Sequence, residues 1–288
     1  MPSQQPTEKS KVIPFLKWPG GKRWLVAQHP EWFPAVNGWH IEPFLGGGAV
    51  FFSCRPHRAI LSDKNARLIE TYETVKDDYD AVTKALAEHH RNHSADYYYD
   101  MRDRRCNTTV TRAAQFIYLN RTCFNGIYRV NREGVFNVPI GTKTNVIMPN
   151  DDFKGVAAAL SVAELSTSGF QATMSLSSDD DFLYLDPPYT VRHNTNNFLK
   201  YNEQIFSWKD QLKLAKEALA AAKRGTRVLV SNADHKFVRS LYRDKVWVRM
   251  RVWRHSVLAS SADRRKLTTE LVVSNFLEND GSVSEVRT

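Results

Sequence analysis

Short apolar runs alternate with longer periodic stretches along this chain, and the alternation predicts an α/β protein. Apolar runs at 39–41, 58–62, 182–185 and 227–231 have the length and polar boundaries of buried strands. Apolar residues at helical spacing predict helices after Asn65, over 80–90 and over 113–119. In the first of these helices, one face is formed by Leu68, Ile69, Tyr72 and Val75. Strands that are separated by helices favour a parallel sheet.

A longer helix is predicted from Ser207. Ser207 and Asp210 have the spacing of a capping box, which opens a helix, and Gly225 is placed to close it. Five apolar residues of this helix recur every three or four positions, and we therefore expect them to face the core: Trp208, Leu212, Ala215, Leu219 and Ala222.

The C-terminal part of the chain has the alternating pattern of half-buried strands. Val246, Val248, Met250 and Val252 alternate with aromatic or charged residues, and 269–276 forms a last apolar run. Two strands with only a loop between them predict an antiparallel hairpin, which would close a mostly parallel sheet.

The distance along the chain between Asp63 and Asp186 predicts an inserted domain. These two acids lie 123 residues apart, which is far more than one crossover helix requires. We therefore assign 65–153 to an inserted domain and 12–64 with 154–288 to the main domain. Residues 1–11 are polar and are expected to be a disordered lead-in, and the aperiodic polar loop 190–200 is expected to move.

Glycine-rich segments near the N-terminus indicate a ligand that contains a nucleoside. Residues 42–48 read Glu-Pro-Phe-Leu-Gly-Gly-Gly, which gives the order of strand, glycine loop and helix found in nucleotide-binding units. Asp63 ends the next strand, 21 residues after Glu42, where a carboxylate can accept hydrogen bonds from ribose hydroxyls. A Gly-Gly turn between Trp18 and Lys22 can also approach a ligand closely.

Charge adds a second expected partner, because the basic residues are clustered. The 288-residue chain carries 40 Lys and Arg against 31 Asp and Glu, which gives a net charge of +9. Seven arginines and one acid lie in 101–132, and nine basic residues and two acids lie in 239–266. Two such clusters favour a polyanionic partner, most simply nucleic acid, over charge that is merely solvated.

Cysteine, histidine and apolar content exclude several other classes. The three cysteines are far apart, which predicts neither a disulfide framework nor a zinc site. The cluster of His89, His90 and His93 lacks partner ligands, so we expect a solvated helix face and no metal. No run of 18 apolar residues occurs and the N-terminus lacks the apolar core of a secretion signal, so we expect a cytoplasmic protein without a membrane span.

The segment 120–141 predicts a basic hairpin. Two apolar stretches punctuated by Asn and Gly flank a turn at Arg132-Glu133-Gly134. Its arginines and aromatic residues alternate with polar ones, as expected of a ribbon that enters a DNA groove. A basic hairpin that is simply solvated is the alternative.

Asp186-Pro187-Pro188-Tyr189 directly follows the apolar run 182–185. Proline fixes φ and lacks a backbone donor, so the carboxylate and the carbonyls of this turn are held in place beside an aromatic ring. Such a turn makes a pocket for a flat polar molecule. A strand-terminating turn with an exposed Asp is the alternative.

In this order, the segments 17–22, 42–48, 120–141 and 186–189 resemble DNA adenine-N6 methyltransferases of the Dam type, in which the cofactor motif precedes the catalytic motif. The resemblance implies an α/β fold with a Rossmann-like, S-adenosylmethionine-dependent methyltransferase sheet, mostly parallel with an antiparallel last strand. It also implies an inserted helical and β-hairpin domain that reads DNA. The sequence departs from the family at 170–176, where the usual acid is missing, and at Pro19, where a small residue is common.

The resemblance also implies roles for individual residues. S-adenosylmethionine would be bound by Trp18, Gly20, Lys22, Glu42, Phe44, Gly46, Gly48, Asp63 and Asp186. Double-stranded DNA would be bound by Lys17, Arg121, Phe124, Asn125, Ile127, Arg129, Asn137 and Pro139. In this set, Arg129 would read a guanine and Phe124 would fill space near the extruded base. The combination resembles the one that reads GATC.

The implied reaction is methyl transfer from S-adenosylmethionine to N6 of a flipped adenine in duplex DNA. Its catalytic residues would be Asp186, Pro187, Pro188 and Tyr189. No metal is needed, and we expect a monomer associated with DNA. Two alternatives stay open, a methyltransferase acting on RNA or on a protein amide and a DNA-binding relative without catalysis. A housekeeping, phage-borne or restriction-modification context is equally open.

Overall fold

The computed structural model describes residues 12–126, 128–130, 135–190, 206–255, 267–278 and 284–285. They form two compact units. The first comprises the described residues up to Gln28 with Gly46–Arg55 and Asn65–Ala163, and the second comprises His29–Leu45, Pro56–Lys64 and the described residues from Glu164 onward. The expectations for 1–11 and for most of the loop 190–200 lie outside the described residues. The inserted domain at 65–153 stays a prediction.

The second unit is built on an eight-stranded sheet with the order β3-β2-β1-β4-β5-β7-β6-β8. Its strands are β1 (His40–Glu42), β2 (Ala59–Asp63), β3 (Ala163–Thr167), β4 (Phe182–Leu185), β5 (Arg227–Ala233), β6 (Val248–His255), β7 (Leu267–Ser274) and β8 (Ser284–Glu285). Of these, β3 takes its first residue from the first unit.

The centre of the sheet is parallel and its C-terminal part is antiparallel. Strands β2, β1, β4 and β5 run parallel, with Ile41 opposite both Ile60 and Leu183. Strand β7 pairs antiparallel with β5 and with β6. The predicted mostly parallel sheet with antiparallel closing strands is therefore confirmed.

In the part of the second unit that the structure describes, the helices are α7 (Phe170–Met174), α8 (Trp208–Lys223) and α9 (Lys236–Arg239), with a 3₁₀ turn at Pro30–Trp32. The predicted capping box opens α8, since Ser207 Oγ accepts from Asp210 N at 3.3 Å and Asp210 Oδ2 accepts from Ser207 N at 2.9 Å. Gly225 follows the helix with φ +99°, a conformation that suits glycine.

The predicted buried face of α8 is wrong in part. Leu212 is 48% exposed, whereas Leu214, Ala218 and Ala221 are buried. The predicted set included Leu212 and passed over Leu214, while most of the buried side chains of the helix are alanines. Small side chains permit close packing against the core, and a leucine at the margin of that face stays in solvent.

The first unit is helical. Its helices are α1 (Arg23–Gln28), α2 (Ala49–Cys54), α3 (Ala66–Asn92), α4 (Ala95–Asp103), α5 (Thr109–Thr122) and α6 (Phe153–Leu160), with a 3₁₀ turn at Phe124–Gly126. Asn65 caps α3, and the predicted face of Leu68, Ile69, Tyr72 and Val75 is buried. The separate helix expected over 80–90 continues α3 beyond the non-helical Asp78.

The expected solvated face of histidines at the end of α3 is wrong for His89 and His93, whereas His90 is exposed. His89 is buried, its Nδ1 lies 2.8 Å from Tyr97 OH, and its ring stacks on Tyr118 at 4.9 Å. His93 Nδ1 lies 2.9 Å from Tyr118 OH. Burial lowers the pKa of His89 to about 4, so it packs as a neutral ring. Local sequence could not reveal these partners, which lie on α4 and α5.

None of the helices described is both long and apolar enough to span a lipid bilayer.

Candidate functional site

The turn at 186–189 directly follows β4, and its acid is held in one orientation. Ser231 Oγ, on the neighbouring β5, donates a hydrogen bond of 2.9 Å to Asp186 Oδ1. Tyr184 OH lies 2.9 Å from the same Ser231 oxygen. Because an ionised carboxylate only accepts, the Ser231 proton points to Asp186 and the Tyr184 hydroxyl is the donor to Ser231. Burial and the Asp186 charge raise the pKa of Tyr184, so its hydroxyl keeps the proton that it donates.

Tyr189, at the end of the same turn, is anchored through its hydroxyl. The hydroxyl donates a hydrogen bond of 2.8 Å to Glu270 Oε2. Glu270 is buried in β7 and lies opposite Ala233, the last residue of β5. Burial, then the Glu270 and Asp186 charges, raise the pKa of Tyr189 well above its ordinary value. The phenol is therefore a neutral donor, and the bond limits how the half-buried ring can turn.

Glu42 and Asp63 end neighbouring strands of the same sheet. Strands β1 and β2 are parallel, so these two acids lie at one edge, and β4, which leads into Asp186, pairs with β1. Glu42 is buried and its Oε1 lies 2.6 Å from His40 Nε2, whereas Asp63 is half-buried. Ligands of open α/β sheets bind outside the carboxyl ends of the strands, so the three acids mark the edge where a ligand is expected.

Phe44, in the segment after β1, belongs to an aromatic cluster of the second unit. Its ring lies 5.6 Å from that of Phe170 at an angle of 25°, and 5.6 Å from that of Phe206. Phe170 and Phe206 are buried, and Phe44 is half-buried. The segment 170–176, which lacks the acid usual in the family, thus contributes an aromatic ring that the sequence had not singled out.

In the first unit, the glycine loop after β1 is shaped by Trp18. Gly46 and Gly48 adopt φ +48° and +65°, and a Cβ on Gly46 would lie 2.6 Å from Trp18 Cδ1. Glycine is therefore required at Gly46 by both its conformation and the adjacent indole. In the preceding Gly-Gly turn, the buried Lys22 donates a hydrogen bond of 2.6 Å from Nζ to Gly20 O.

The basic hairpin also lies in the first unit and starts later than expected. Residues 120–122 belong to α5, and antiparallel bridges then join Cys123 to Ile140 and Val130 to Phe136. The predicted turn at 132–134 lies outside the described residues, as does Ile127.

Most of the residues expected to bind DNA are exposed on this hairpin: Phe124, Asn125, Arg129, Asn137 and Pro139. Phe124 is 53% exposed, which is unusual for so large an apolar side chain. Arg129 Nε donates to Asn137 Oδ1 at 3.4 Å, which joins the two arms of the hairpin. Their exposure makes these side chains accessible to a nucleic acid.

Arg121 is the exception, and its assignment to DNA is wrong. Its side chain is 1% exposed, and its guanidinium donates to both oxygens of Asp151 at 2.6 and 2.7 Å. The same group also donates to Val146 O at 2.6 Å and to Phe15 O at 3.0 Å. A guanidinium so engaged inside the protein holds three segments together and is not placed to contact a phosphate or a base.

Lys17 is held beside the hairpin through its backbone. Lys17 N donates to Asn120 Oδ1 at 2.9 Å, and Asn120 Nδ2 donates to Lys17 O at 2.8 Å. Burial, followed by the positive charge of Lys143, lowers the pKa of Lys17 to about 8. The ammonium therefore loses its proton at a lower pH than an ordinary lysine does.

Sequence reasoning missed the residues that hold the site in place, chiefly Ser231, Glu270 and Asn120. Glu270 carried a signal, because an acid within the apolar run 269–276 must find a partner when it is buried. Ser231 could have been found from its place at the end of the strand run 227–231, although only the sheet order makes it a neighbour of Asp186. Asn120 had no local signal.

Among the residues that the structure describes, no three His, Cys, Asp or Glu side chains are grouped so that they could hold a metal ion. The carboxylates at the sheet edge are instead engaged by hydroxyl and imidazole groups, in the pairs Asp186 with Ser231 and Glu42 with His40.

Known proteins resemble this chain over most of its length. The family described as D12 class N6 adenine-specific DNA methyltransferase matches residues 18–256. The type II methyltransferase M1.LlaDCHI of Lactococcus lactis subsp. cremoris is 34% identical, over 93% of this chain and 97% of its own length. DNA adenine methylases of Haemophilus influenzae and Escherichia coli are 34% and 33% identical, over 92% and 88% of this chain and 94% and 92% of theirs.

The family match includes both the 186–189 turn and the basic hairpin, and it confirms the resemblance stated from the sequence. The chain belongs to the D12 class of N6 adenine-specific DNA methyltransferases.

Proposed function

We propose that this enzyme methylates N6 of adenine within GATC in duplex DNA, with S-adenosylmethionine as the methyl donor. Membership of the family gives the adenine-specific reaction on DNA, and the donor, the site and the residue roles are our proposal. The observation that carries it is the chain of hydrogen bonds from Tyr184 through Ser231 to Asp186, which fixes the Asp186 carboxylate immediately after a central strand.

The proposed role of the turn follows from the chemistry of the target amine. The N6 lone pair of adenine is delocalised into the ring, so the amine is a poor nucleophile. The Asp186 carboxylate and the Pro187 carbonyl would each accept a hydrogen bond from one of the two N6–H groups, and this arrangement favours a pyramidal nitrogen. Pro188 fixes the backbone, and Tyr189 would stack on the base. The target has to leave the duplex to reach this turn, because it is otherwise enclosed in the base stack.

The second unit offers groups that fit an adenosine-containing cofactor. The half-buried Asp63 carboxylate at the end of β2 suits ribose hydroxyls, and the half-buried Phe44 ring suits a purine. Glu42, fixed by His40, would support the loop that follows it. S-adenosylmethionine, when bound, would supply a methyl group bonded to a cationic sulfur, and that sulfur is the leaving group of a direct displacement. The roles of Asp63 and Phe44 would be to hold and orient it.

The first unit offers the groups for the remaining contacts. Trp18, Lys22, Gly20 of the Gly-Gly turn, and Gly46 and Gly48 of the glycine loop are proposed on the cofactor side. Arg129 is proposed to read a guanine, with Asn137 orienting its guanidinium. The exposed Phe124 is proposed to occupy the space that a flipped base vacates, with Asn125, Ile127, Pro139 and Lys17 as further contacts.

A methyl-transfer assay with labelled S-adenosylmethionine tests this function. The substrates would be a duplex containing one GATC, its single-base variants, and an RNA duplex of the same sequence. We expect labelled N6-methyladenine only in the GATC duplex. Equal labelling of the variants would refute the target sequence, labelling of RNA would favour the RNA-modifying alternative, and no labelling of any substrate would favour a catalytically silent relative.

Replacing Arg129 with alanine is expected to weaken site choice. Loss of a bidentate contact to guanine lowers discrimination against the wrong base by about 1–3 kcal/mol. The measurement is kcat/KM on GATC and on duplexes with each guanine substitution. Arg105→Ala is the matched control, because Arg105 is also exposed but lies outside the hairpin. Unchanged discrimination in the Arg129 variant would show that Arg129 does not read the guanine.

DNA affinity is expected to fall as pH rises through about 8, because Lys17 then loses the charge that attracts DNA. Fluorescence anisotropy of a labelled duplex from pH 7 to 9.5 at constant ionic strength measures this step. Lys17→Met should remove it. Lys143→Met should move it to higher pH, because a neighbouring positive charge is gone. An affinity that stays constant up to pH 9 would exclude a contribution from Lys17.

A further inference from the structure

Tyr128 lies between Ile127 and Arg129 in the hairpin, and its ring packs inward. It stacks on Trp18 with ring centroids 5.9 Å apart and an angle of 15° between the planes. Its other faces are packed as well, since Phe116 of α5 lies 4.5 Å away and Phe136 on the returning arm lies 5.4 Å away. Tyr128, whose sequence neighbours are both proposed base contacts, is therefore in contact with Trp18, a residue far from the hairpin in the sequence.

Trp18 in turn is wedged against the glycine loop. A Cβ on Gly46 would lie 2.6 Å from Trp18 Cδ1, and one on Gly47 would lie 3.1 Å from Trp18 Cβ. The loop is supported from elsewhere by Tyr72 OH, which donates to Gly46 O at 3.0 Å. At such close packing, the indole and the loop cannot move independently.

The Trp18 segment is also fixed at its base. Asn120 is fully buried and makes two hydrogen bonds to the backbone of Lys17, so Trp18 starts from a position set by the end of α5. Movement of the hairpin arm at Tyr128 must therefore be taken up by the rings of Tyr128 and Trp18 and by the glycine loop behind them. All these groups belong to the first unit.

We propose that Tyr128 is a positioning residue that couples the DNA-reading arm around Arg129 to the cofactor-side glycine loop through its stack on Trp18. Cognate DNA, by fixing Arg129, would fix the stack and the loop, and cofactor on the loop would fix the arm. Because such coupling is reciprocal, each ligand tightens the binding of the other by the same factor. The inference rests on the proposed function, in which Arg129 reads DNA and the glycine loop contacts the cofactor.

The test measures that factor directly. The Kd of S-adenosylhomocysteine, an unreactive product of the proposed reaction, is determined by calorimetry with the full-length protein alone and with a saturating GATC duplex. Couplings between sites are commonly about 5-fold to 150-fold, so we expect a Kd ratio of at least about 5 for the wild type. Tyr128→Leu, which removes the ring, should bring the ratio close to 1. Tyr128→Phe keeps the ring and should preserve it.

A control separates coupling from general loosening of the hairpin. Val138 is buried in the same hairpin, and Val138→Ala should lower the thermal midpoint while the Kd ratio stays at the wild-type value. If the wild type methylates GATC, three results would overturn this inference and leave the proposed function standing. They are a Kd ratio of 1 in the wild type, a wild-type Kd ratio in Tyr128→Leu, and a loss of the ratio in Val138→Ala as large as that in Tyr128→Leu. A wild type that binds no S-adenosylhomocysteine would overturn it together with the proposed function.

Discussion

Replacing Asp186 with alanine is expected to abolish methyl transfer while DNA binding persists. The carboxylate is the only charged acceptor of the proposed turn, and removing a preorganised electrostatic group from a reacting centre lowers kcat by about 10²–10³-fold or more. Asp186→Asn should also lose most of its activity, because its amide keeps an accepting oxygen but lacks the negative charge that strengthens the hydrogen bond from N6. Single-turnover rates on a GATC duplex and anisotropy of the same duplex measure the two properties separately.

Ser231→Ala is the matched control for this experiment. It leaves the carboxylate in place and removes only the 2.9 Å bond that orients it. Hydrogen bonds to charged groups contribute about 1.5–3 kcal/mol, so we expect a loss of about 10-fold to 150-fold in kcat, smaller than that of Asp186→Ala. Wild-type turnover in Asp186→Ala, or an equal loss in Asp186→Ala and Ser231→Ala, would contradict the proposed division between an accepting and an orienting residue.

The strands of the parallel centre could be predicted because their apolar runs are continuous. A strand buried on both faces needs no polar alternation, and all residues of β4 are buried accordingly. The buried face of α8 could not be read as well, because Ala218 and Ala221 carry too little apolar surface to mark it against Leu212. Periodicity finds a helix more readily than the face it buries.

The acids of the site carried signals in their own segments, whereas their supports depended on strand order. Asp63 could be recognised as an acid at the end of the strand after the glycine loop, and Asp186 as the acid of a proline-fixed turn after an apolar run. Glu270 reaches Tyr189 because β7 pairs with β5, which places the start of an antiparallel strand beside the end of a parallel one. No local pattern specifies that β7 lies between β5 and β6.

Arg121 was misread for a related reason. It is one of the seven arginines in 101–132, and nothing in the local sequence sets it apart from the other six. Its acid, Asp151, lies 30 residues further along, beyond the entire hairpin. Clustered charge predicts a polyanionic partner for the set but cannot say which member is turned inward.

Replacing Arg121 with alanine is expected to destabilise the protein by about 3–5 kcal/mol, because it leaves the Asp151 carboxylate without its partner in a largely buried position. The carbonyls of Phe15 and Val146 lose a donor at the same time. Arg129→Ala should change stability by less than about 0.5 kcal/mol, since that side chain is exposed. Urea unfolding monitored by circular dichroism measures both.

A double variant distinguishes a structural ion pair from a DNA contact. Arg121→Met with Asp151→Leu removes both charges, and replacing a buried pair with apolar groups is often close to neutral, so stability should recover most of what Arg121→Ala loses. Because Arg121 does not touch DNA in this account, the double variant should also discriminate GATC from its single-base variants as well as the wild type does. If stability recovered but discrimination was lost, Arg121 would have to contact DNA, although its side chain is only 1% exposed.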